Sequence, residues 1–158
     1  MVRRGLAAST ADEVEAALAG LPLPRTNPFR LIGVFPGQGD VVEWRWNLHA
    51  LEQFTHPWRS TTWISSGYDE PGAQRSRGQA FHDALQAADA GTAAWLHRLH
   101  RAHGAGCGPY SHCMHRADAA TVSYVAIGVW RRHATLRYAA GAPCEAELAP
   151  ALRLGLRD

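Results

Sequence analysis

Lysine is absent from this sequence of 158 residues, so arginine supplies all 16 of its permanently cationic side chains. The formal net charge is only +2, and the charges are dispersed along the chain rather than arranged in stripes. This balance gives no reason to expect nucleic acid or an anionic membrane surface as a partner. We interpret the missing lysine as a coding bias toward arginine and alanine rather than as a phosphate-binding surface.

Cysteines and long apolar runs are also scarce. The three cysteines, Cys107, Cys113 and Cys144, are too few and too unevenly spaced for a disulfide framework. No apolar run is long enough to span a bilayer. Arg3 and Arg4 are followed by acidic residues rather than by the apolar stretch of a secretory signal. We therefore expect a cytoplasmic protein in a reducing compartment.

Local patterns predict the helices and strands. Thr10 and Glu13 have the spacing of a capping box at the start of a helix over 11–20. Alternating apolar and polar residues and a Pro-Gly turn predict a β-hairpin over 29–47. The predicted elements that follow are strands at 50–56 and 59–65, helices at 79–89 and 92–103, and strands at 122–130 and 133–139.

The strands and helices are grouped rather than alternating. This order predicts an α+β fold with antiparallel sheets covered by helices, in a single domain over 1–158. The segment 122–130, "VSYVAIGVW", is apolar at nearly every position. We therefore expect this strand to be covered on both faces.

Residues 108–129 contain the densest chemistry of the chain, and a metal site is one interpretation. No C-x-x-C or H-E-x-x-H spacing occurs there. His97, His100 and His103 lie on the predicted helix at 92–103. They would spread over roughly a third of its circumference, so they would converge poorly on one ion. We therefore predict no metal site. The candidate ligands considered were His97, His100, His103, Cys107, His112, Cys113 and His115.

A catalytic cysteine–histidine pair is a second interpretation of the same stretch. Cys113 and His115 would point to one side of a strand, but residues two apart in a strand do not normally form a nucleophile–base hydrogen bond. We favour a structural interpretation, in which 108–129 forms two strands joined by a polar turn. Arg116 and Asp118 would then pair within that turn.

A set of ordered motifs resembles a known family. The segments "TNPFRLIGV", "VVEWRWN", "TTWISSG", "CMHRADAATVSYVAI" and "LRYAAGAPC", within residues 8–144, resemble the later portion of the NRDE family, also called the transport-and-Golgi-organisation family. The resemblance implies a layered fold like that of N-terminal-nucleophile hydrolases, which act on C–N amide bonds. The hairpin motif of the family corresponds here to Cys113, Met114, Arg116, Asp118, Thr121 and Ser123.

The sequence departs from this family at its start. In such enzymes a cysteine after the initiator methionine is the nucleophile and its α-amine is the base, but Val2 stands at that position and no Asn-Arg-Asp-Glu motif occurs. We expect a partial fold whose N-terminal portion is missing and which has no hydrolase activity alone. One alternative is half of a split cysteine amidohydrolase. Another is a non-catalytic binding or trafficking module, for example for haem or a small hydrophobic ligand.

The resemblance also places a candidate pocket. Ser65 and Ser66 end the "TTWISSG" segment, and Arg75 or Arg77 follows. In related cysteine amidohydrolases such residues border the active site, so an arginine here could hold a carboxylate or an oxyanion. The alternative is a Ser-Ser-Gly turn followed by a surface arginine. If the pocket exists, Ser66 and Arg77 are the first candidates.

Three tryptophans also allow two interpretations, as the lining of a pocket or as part of the core. Trp44, Trp46 and Trp63 could line a haem pocket, but a role in the hydrophobic core is favoured.

If the N-terminal portion is absent, strand edges are exposed, and the expected partner is the missing half or a second copy of the chain.

Overall fold

The computed structural model describes residues 8–104 and 106–156. Val2, at the position of the family's nucleophile, therefore lies outside the described residues. The chain forms two compact units that divide after Arg59, and each is described separately. None of the helices in the described ranges has both the length and the apolar character that crossing a bilayer requires.

Both units mix helices with antiparallel strands, as the predicted α+β class requires. The helices are α1 (Ala11–Ala19), α2 (Glu70–Ala84) and α3 (Ala93–Arg101), and a 3₁₀ turn covers Leu23–Arg25. The strands are β1 (Phe29–Phe35), β2 (Asp40–Trp46), β3 (Leu51–His56), β4 (Ser123–Trp130), β5 (His133–Ala140) and β6 (Leu152–Gly155).

The first unit is a three-stranded sheet in the order β1-β2-β3, covered by α1. The capping box forms at the predicted place, because the Thr10 hydroxyl accepts a hydrogen bond from the Glu13 amide. Glu13 reaches back to the amide of Ser9 rather than to that of Thr10. The residues of the core cluster, contributed by α1 and β2, are Val14, Leu18, Val42 and Trp44.

The tryptophans of β2 belong to this interior. Trp44 is fully buried and packs edge-on against Phe35, with ring centroids 6.4 Å apart. Trp46 is also buried, and its indole N–H donates to the carbonyl of Thr26 at 3.0 Å. Both therefore occupy the core role that the sequence favoured. Trp63 lies in an irregular segment of the second unit.

The other face of β2 carries a buried carboxylate. Glu43 is almost completely buried. It forms ion pairs of 2.8 Å with Arg30 and Arg45, and its other carboxylate oxygen lies 2.8 Å from Nε2 of His56. Burial alone would raise the pKa of Glu43, but the hydrogen bonds from Arg45 and His56 and the charges of both arginines outweigh it. The pKa of Glu43 therefore lies below its ordinary value.

The second unit contains a sheet in the order β4-β5-β6. Helix α3 packs against one face, where the ring of Tyr124 lies 5.4 Å from that of His97 and 5.0 Å from that of His100. Helix α2 joins α3 through Trp95, whose indole N–H donates to the carbonyl of Ala84 at 2.8 Å.

The expectation that β4 is covered on both faces is wrong for the described residues of this unit. Val125, Ile127 and Val129 alternate along one face and are 48%, 67% and 50% exposed. An apolar run in a strand does not reveal whether both faces are covered, because that depends on elements far away in the chain. Layering of the N-terminal-nucleophile-hydrolase type therefore stays a prediction, as does self-association through exposed strand edges.

Three element predictions in the second unit need correction. Residues 59–65 form no strand. Helix α2 begins at Glu70, not at residue 79, because Asp69 caps it by accepting from the Gly72 amide and Pro71 is well tolerated in a first turn. Strand β6 lies in the weakly patterned segment after residue 140, for which no element is predicted, and it pairs with β5 through Leu136 and Leu152.

The stretch from residue 108 to residue 122 is not the strand-and-turn segment that the sequence favoured. It contains a single bridge, between His115 and Ala120, and is otherwise irregular until β4 begins at Ser123. The predicted pair of Arg116 and Asp118 does form within this segment. Because this backbone is irregular, side chains two residues apart approach more closely than same-face neighbours of an extended strand, which are spaced about 6.6 Å along the strand.

Candidate functional site

The second unit contains an open cleft of about 640 Å³. It brings the predicted serine pair and one predicted arginine next to the family-like hairpin motif. Arg75 is not among its lining residues. The walls include Ser65, Ser66, Tyr68, Arg77, His112, Met114, Arg116, Asp118 and Thr121.

Arg77 is mostly committed to the main chain. Its guanidinium donates to the carbonyls of Ser111 at 3.0 Å, Pro109 at 2.9 Å and Ser65 at 3.2 Å. Burial lowers the pKa of Arg77 from its ordinary value. The residue therefore fastens helix α2 to the loop before β4, and two of its five N–H donors remain for a ligand.

Ser66 has a similar structural role. Its hydroxyl oxygen accepts from the amides of Tyr68 at 3.2 Å and Asp69 at 3.4 Å, which closes the turn that leads into α2. This is the Ser-Ser-Gly turn that the sequence offered as the alternative to a pocket wall. Because Ser66 also lines the cleft, the two interpretations are compatible.

Arg116 is the second cation of the cleft. Its guanidinium lies over the ring of Tyr68, 4.6 Å from the centroid, and it pairs with the exposed carboxylate of Asp118. Met114 and Thr121 hold the loop behind it, since the Met114 amide donates to the Thr121 hydroxyl and the Thr121 amide donates to the Met114 carbonyl. The cleft thus presents arginine and aromatic surface on a fastened loop.

A second group of reactive side chains lies in the same unit. One ligand atom from each of four residues lies within 4.8 Å of the others, and these residues are His103, Cys113, His115 and Cys144. The Nε2 atom of His115 is 3.5 Å from the sulfur of Cys113 and 3.1 Å from that of Cys144. The ring of His103 meets that of His115 edge-on, with centroids 5.2 Å apart. We call these four residues the Cys/His cluster.

Main-chain hydrogen bonds place the Cys/His cluster. The Cys113 amide donates to the carbonyl of Ala102, just after α3, and the His115 amide donates to the carbonyl of Cys107. Arg101, in the last turn of α3, donates to the carbonyl of Cys144 at 3.1 Å. The cluster therefore joins the end of α3, the loop before β4 and the turn after β5.

Two features of the cluster were not predicted from the sequence. Helix α3 ends at Arg101, so His103 lies on a loop and the circumference argument does not apply to it. Cys144 is not among the predicted candidate ligands, because it lies 29 positions from His115 in the chain. The quoted motifs "CMHRADAATVSYVAI" and "LRYAAGAPC" do contain three of the four residues, but nothing in their spacing predicts the contact.

The histidines and thiols of this region are partly buried. Burial raises the pKa of the Cys113 thiol, and the neighbouring thiol of Cys144 raises it further. Burial lowers the pKa of His112 to about 4 and also lowers the pKa values of His97 and His100. These groups are therefore mainly neutral at pH 7.

Comparison of the chain with family models, with curated proteins and with solved structures gives no match in any of the three searches. The resemblance to the NRDE family therefore stays a prediction.

Proposed function

We propose that this chain is an NRDE-like binding domain that holds a small carboxylate-bearing ligand in the cleft, and that it does not hydrolyse amides by itself. The observation that carries the proposal is the convergence of the predicted pocket with the hairpin motif. Ser66 and Arg77 line the same cleft as Met114, Arg116 and Asp118.

The chemistry of the cleft favours a flat ligand with a carboxylate. Arg116 offers a guanidinium already stacked on Tyr68, and stacked arginines retain donors for bidentate contact with a carboxylate. Met114 adds apolar, polarisable surface.

Binding is favoured over hydrolysis by the position of the thiols. No cysteine lines the cleft within the described ranges. Cys113 and Cys144 both lie near His115, but Cys113 is 0% exposed and Cys144 is not part of the cleft that would hold a substrate. The Ser66 hydroxyl accepts two amide hydrogen bonds of its own turn. Nucleophilic catalysis needs an accessible nucleophile beside a base.

Haem and metal-free protoporphyrin are suitable probes, because both are flat and carry carboxylates. We expect each to bind the reduced chain, with a change in absorbance or porphyrin fluorescence, and Arg116→Gln to weaken both by about tenfold, as for a lost charge-assisted hydrogen bond. Arg153→Gln, on the exposed strand β6, is the matched control and should bind normally.

The metal-free porphyrin separates binding through carboxylates from iron ligation by the cysteines and histidines. A flat response to both probes, or equal losses in the two variants, would contradict the proposal. Turnover of a chromogenic amide or thioester by the purified chain would contradict its non-hydrolytic part.

A further inference from the structure

The dimensions of the Cys/His cluster resemble those of an ion's coordination shell. Bonds of about 2.3 Å to sulfur and about 2.0 Å to nitrogen place tetrahedral ligands about 3.6 Å apart. The two measured distances between His115 Nε2 and a sulfur are 3.5 Å and 3.1 Å, and the ligand atoms of all four residues lie within 4.8 Å. From this geometry we propose that His103, Cys113, His115 and Cys144 bind one divalent ion of the zinc class.

The hydrogen bonding of the cluster is incomplete without such an ion. A single nitrogen of His115 faces two sulfurs, although a ring nitrogen carries at most one proton and thiols are weak donors. Nε2 of His103 is buried and has no hydrogen-bond partner, an arrangement that is uncommon in folded proteins. One ion shared by two imidazoles and two thiolates gives these groups a common partner.

The ligand types select the metal. Two sulfur and two nitrogen ligands in tetrahedral arrangement are the common set for zinc, and four protein ligands close the site to substrate. The role that follows is structural rather than catalytic. The thiols lose their protons to solvent when the ion binds, so the two thiolates balance the charge of the divalent cation.

The position of the cluster explains what an ion would contribute. It lies where three segments of the second unit meet, namely the end of α3, the loop before β4 and the turn after β5. The pairing of Ser123 with Ala140 already links the last two, and an ion would add side-chain bonds among all three. Buried apolar side chains are few in the described part of this unit. They are Ala73, Trp95, Leu99, Cys113, Tyr124, Ala139 and Pro143. A metal can supply the folding free energy that a small core does not.

The surroundings of the cluster include a second cavity and a third cysteine. His103 lies on the wall of a second cavity, of about 250 Å³, which Gly104, Gly106 and Gly108 border. Cys107 is exposed and contributes only its carbonyl, which makes it a cysteine outside the cluster with which the ligands can be compared.

The test is a Co²⁺ titration of the chelator-treated, reduced wild-type chain, followed by competition with Zn²⁺. We expect one equivalent of Co²⁺ to give the visible bands of a tetrahedral ion and the near-ultraviolet band of thiolate coordination, and Zn²⁺ to abolish both. Cys144→Ser should bind more than about 100-fold more weakly, beyond the range for loss of an outer partner, while Cys107→Ser should match the wild type.

The wild-type titration requires no variant to fold, so it remains decisive if Cys144→Ser aggregates. An octahedral cobalt spectrum, or no binding at all, would overturn the proposal. Two further results would overturn it: a Cys144→Ser chain that binds Co²⁺ as tightly as the wild type, or a Cys113–Cys144 disulfide that survives treatment with a reductant. The porphyrin experiment concerns another set of residues, so the two proposals fail independently.

Discussion

Arg77 and Ser111 lie 34 positions apart in the chain, and the side-chain Nε of Arg77 donates a hydrogen bond of 3.0 Å to the main-chain carbonyl of Ser111. The same guanidinium also reaches the carbonyls of Pro109 and Ser65. One arginine on α2 therefore holds the loop that carries both the cleft wall and two residues of the Cys/His cluster.

Replacement of Arg77 should destabilise the second unit. Lysine keeps the positive charge but cannot span three carbonyls in one plane, so Arg77→Lys should lower the free energy of unfolding by about 2 kcal/mol. Urea unfolding followed by circular dichroism measures this change. Arg75→Lys, two residues earlier on the same helix, should stay within about 0.5 kcal/mol of the wild type. Equal effects at the two positions would show that Arg77 does not fasten the loop.

Gly72 and Gly78 of helix α2 should respond in opposite directions to alanine. A Cβ at position 72 would lie 2.7 Å from Cε1 of Tyr110 and closer still to the Asp69 carboxylate, which is fixed as the helix cap. Gly72→Ala should therefore lower stability by about 2 kcal/mol, as overpacking does. At position 78 the nearest atom is 4.0 Å away, so Gly78→Ala should raise stability by about 0.5–1 kcal/mol through helix propensity.

Thermal unfolding of both alanine variants measures the contrast. A stable Gly72→Ala chain would mean that the N-terminus of α2 does not approach Tyr110 as described. Such a result would also count against the described wall of the cleft, because Tyr68 lies against Tyr110, with ring centroids 6.3 Å apart.

The buried Glu43 should make the first unit sensitive to acid. Its pKa is lowered in the folded state, so the unfolded chain binds more protons there. The stability contributed by the ionised carboxylate is therefore fully present above the ordinary pKa of 4.5. It is lost as the pH falls below that value through the lowered folded pKa.

Glu43→Gln should remove this part of the pH dependence. Because the variant leaves Arg30 and Arg45 without their shared carboxylate, it should also be less stable at pH 7 by about 2 kcal/mol. Urea unfolding at a series of pH values measures both effects. Glu52→Gln, on the exposed surface of β3, is the matched control. If the free energy of unfolding of Glu43→Gln falls with pH as steeply as that of the wild type, the assigned role of the carboxylate is contradicted.

Removal of the proposed metal should loosen the second unit selectively. Under a chelator, we expect faster amide hydrogen exchange at the end of α3 and in the turn around Cys144, because the ion no longer joins them. Exchange in β1 and β2 should not change, since the first unit has its own core. Mass spectrometry of peptides resolves the two regions. Uniform acceleration, or none, would contradict a structural ion at this place.

The first unit was largely predictable because its signals are local. Thr10 and Glu13 form a capping box within one helical turn, and the alternation around Trp44 assigns each side chain of β2 to a face. Tight turns then set the order of the strands. The ion pairs of Glu43 were not predicted, because they join three strands and depend on register.

The second unit was predicted less well because its important contacts are distant in the chain. The start of α2 depends on the cap by Asp69, whereas the predicted helix began only at residue 79. The cluster unites His103 and Cys144 through irregular segments that have no period to detect. The residue types alone identified Cys113 and His115 as candidate ligands or catalytic groups, but they did not predict which residues these two contact.

X-ray absorption at the zinc edge of the zinc-loaded wild-type chain tests the central claim most directly, namely that the Cys/His cluster organises the second unit around one ion. The account predicts a four-coordinate shell of two sulfur atoms at about 2.3 Å and two histidine nitrogens at about 2.0 Å. A shell of oxygen and nitrogen without sulfur, or with one sulfur only, would contradict it.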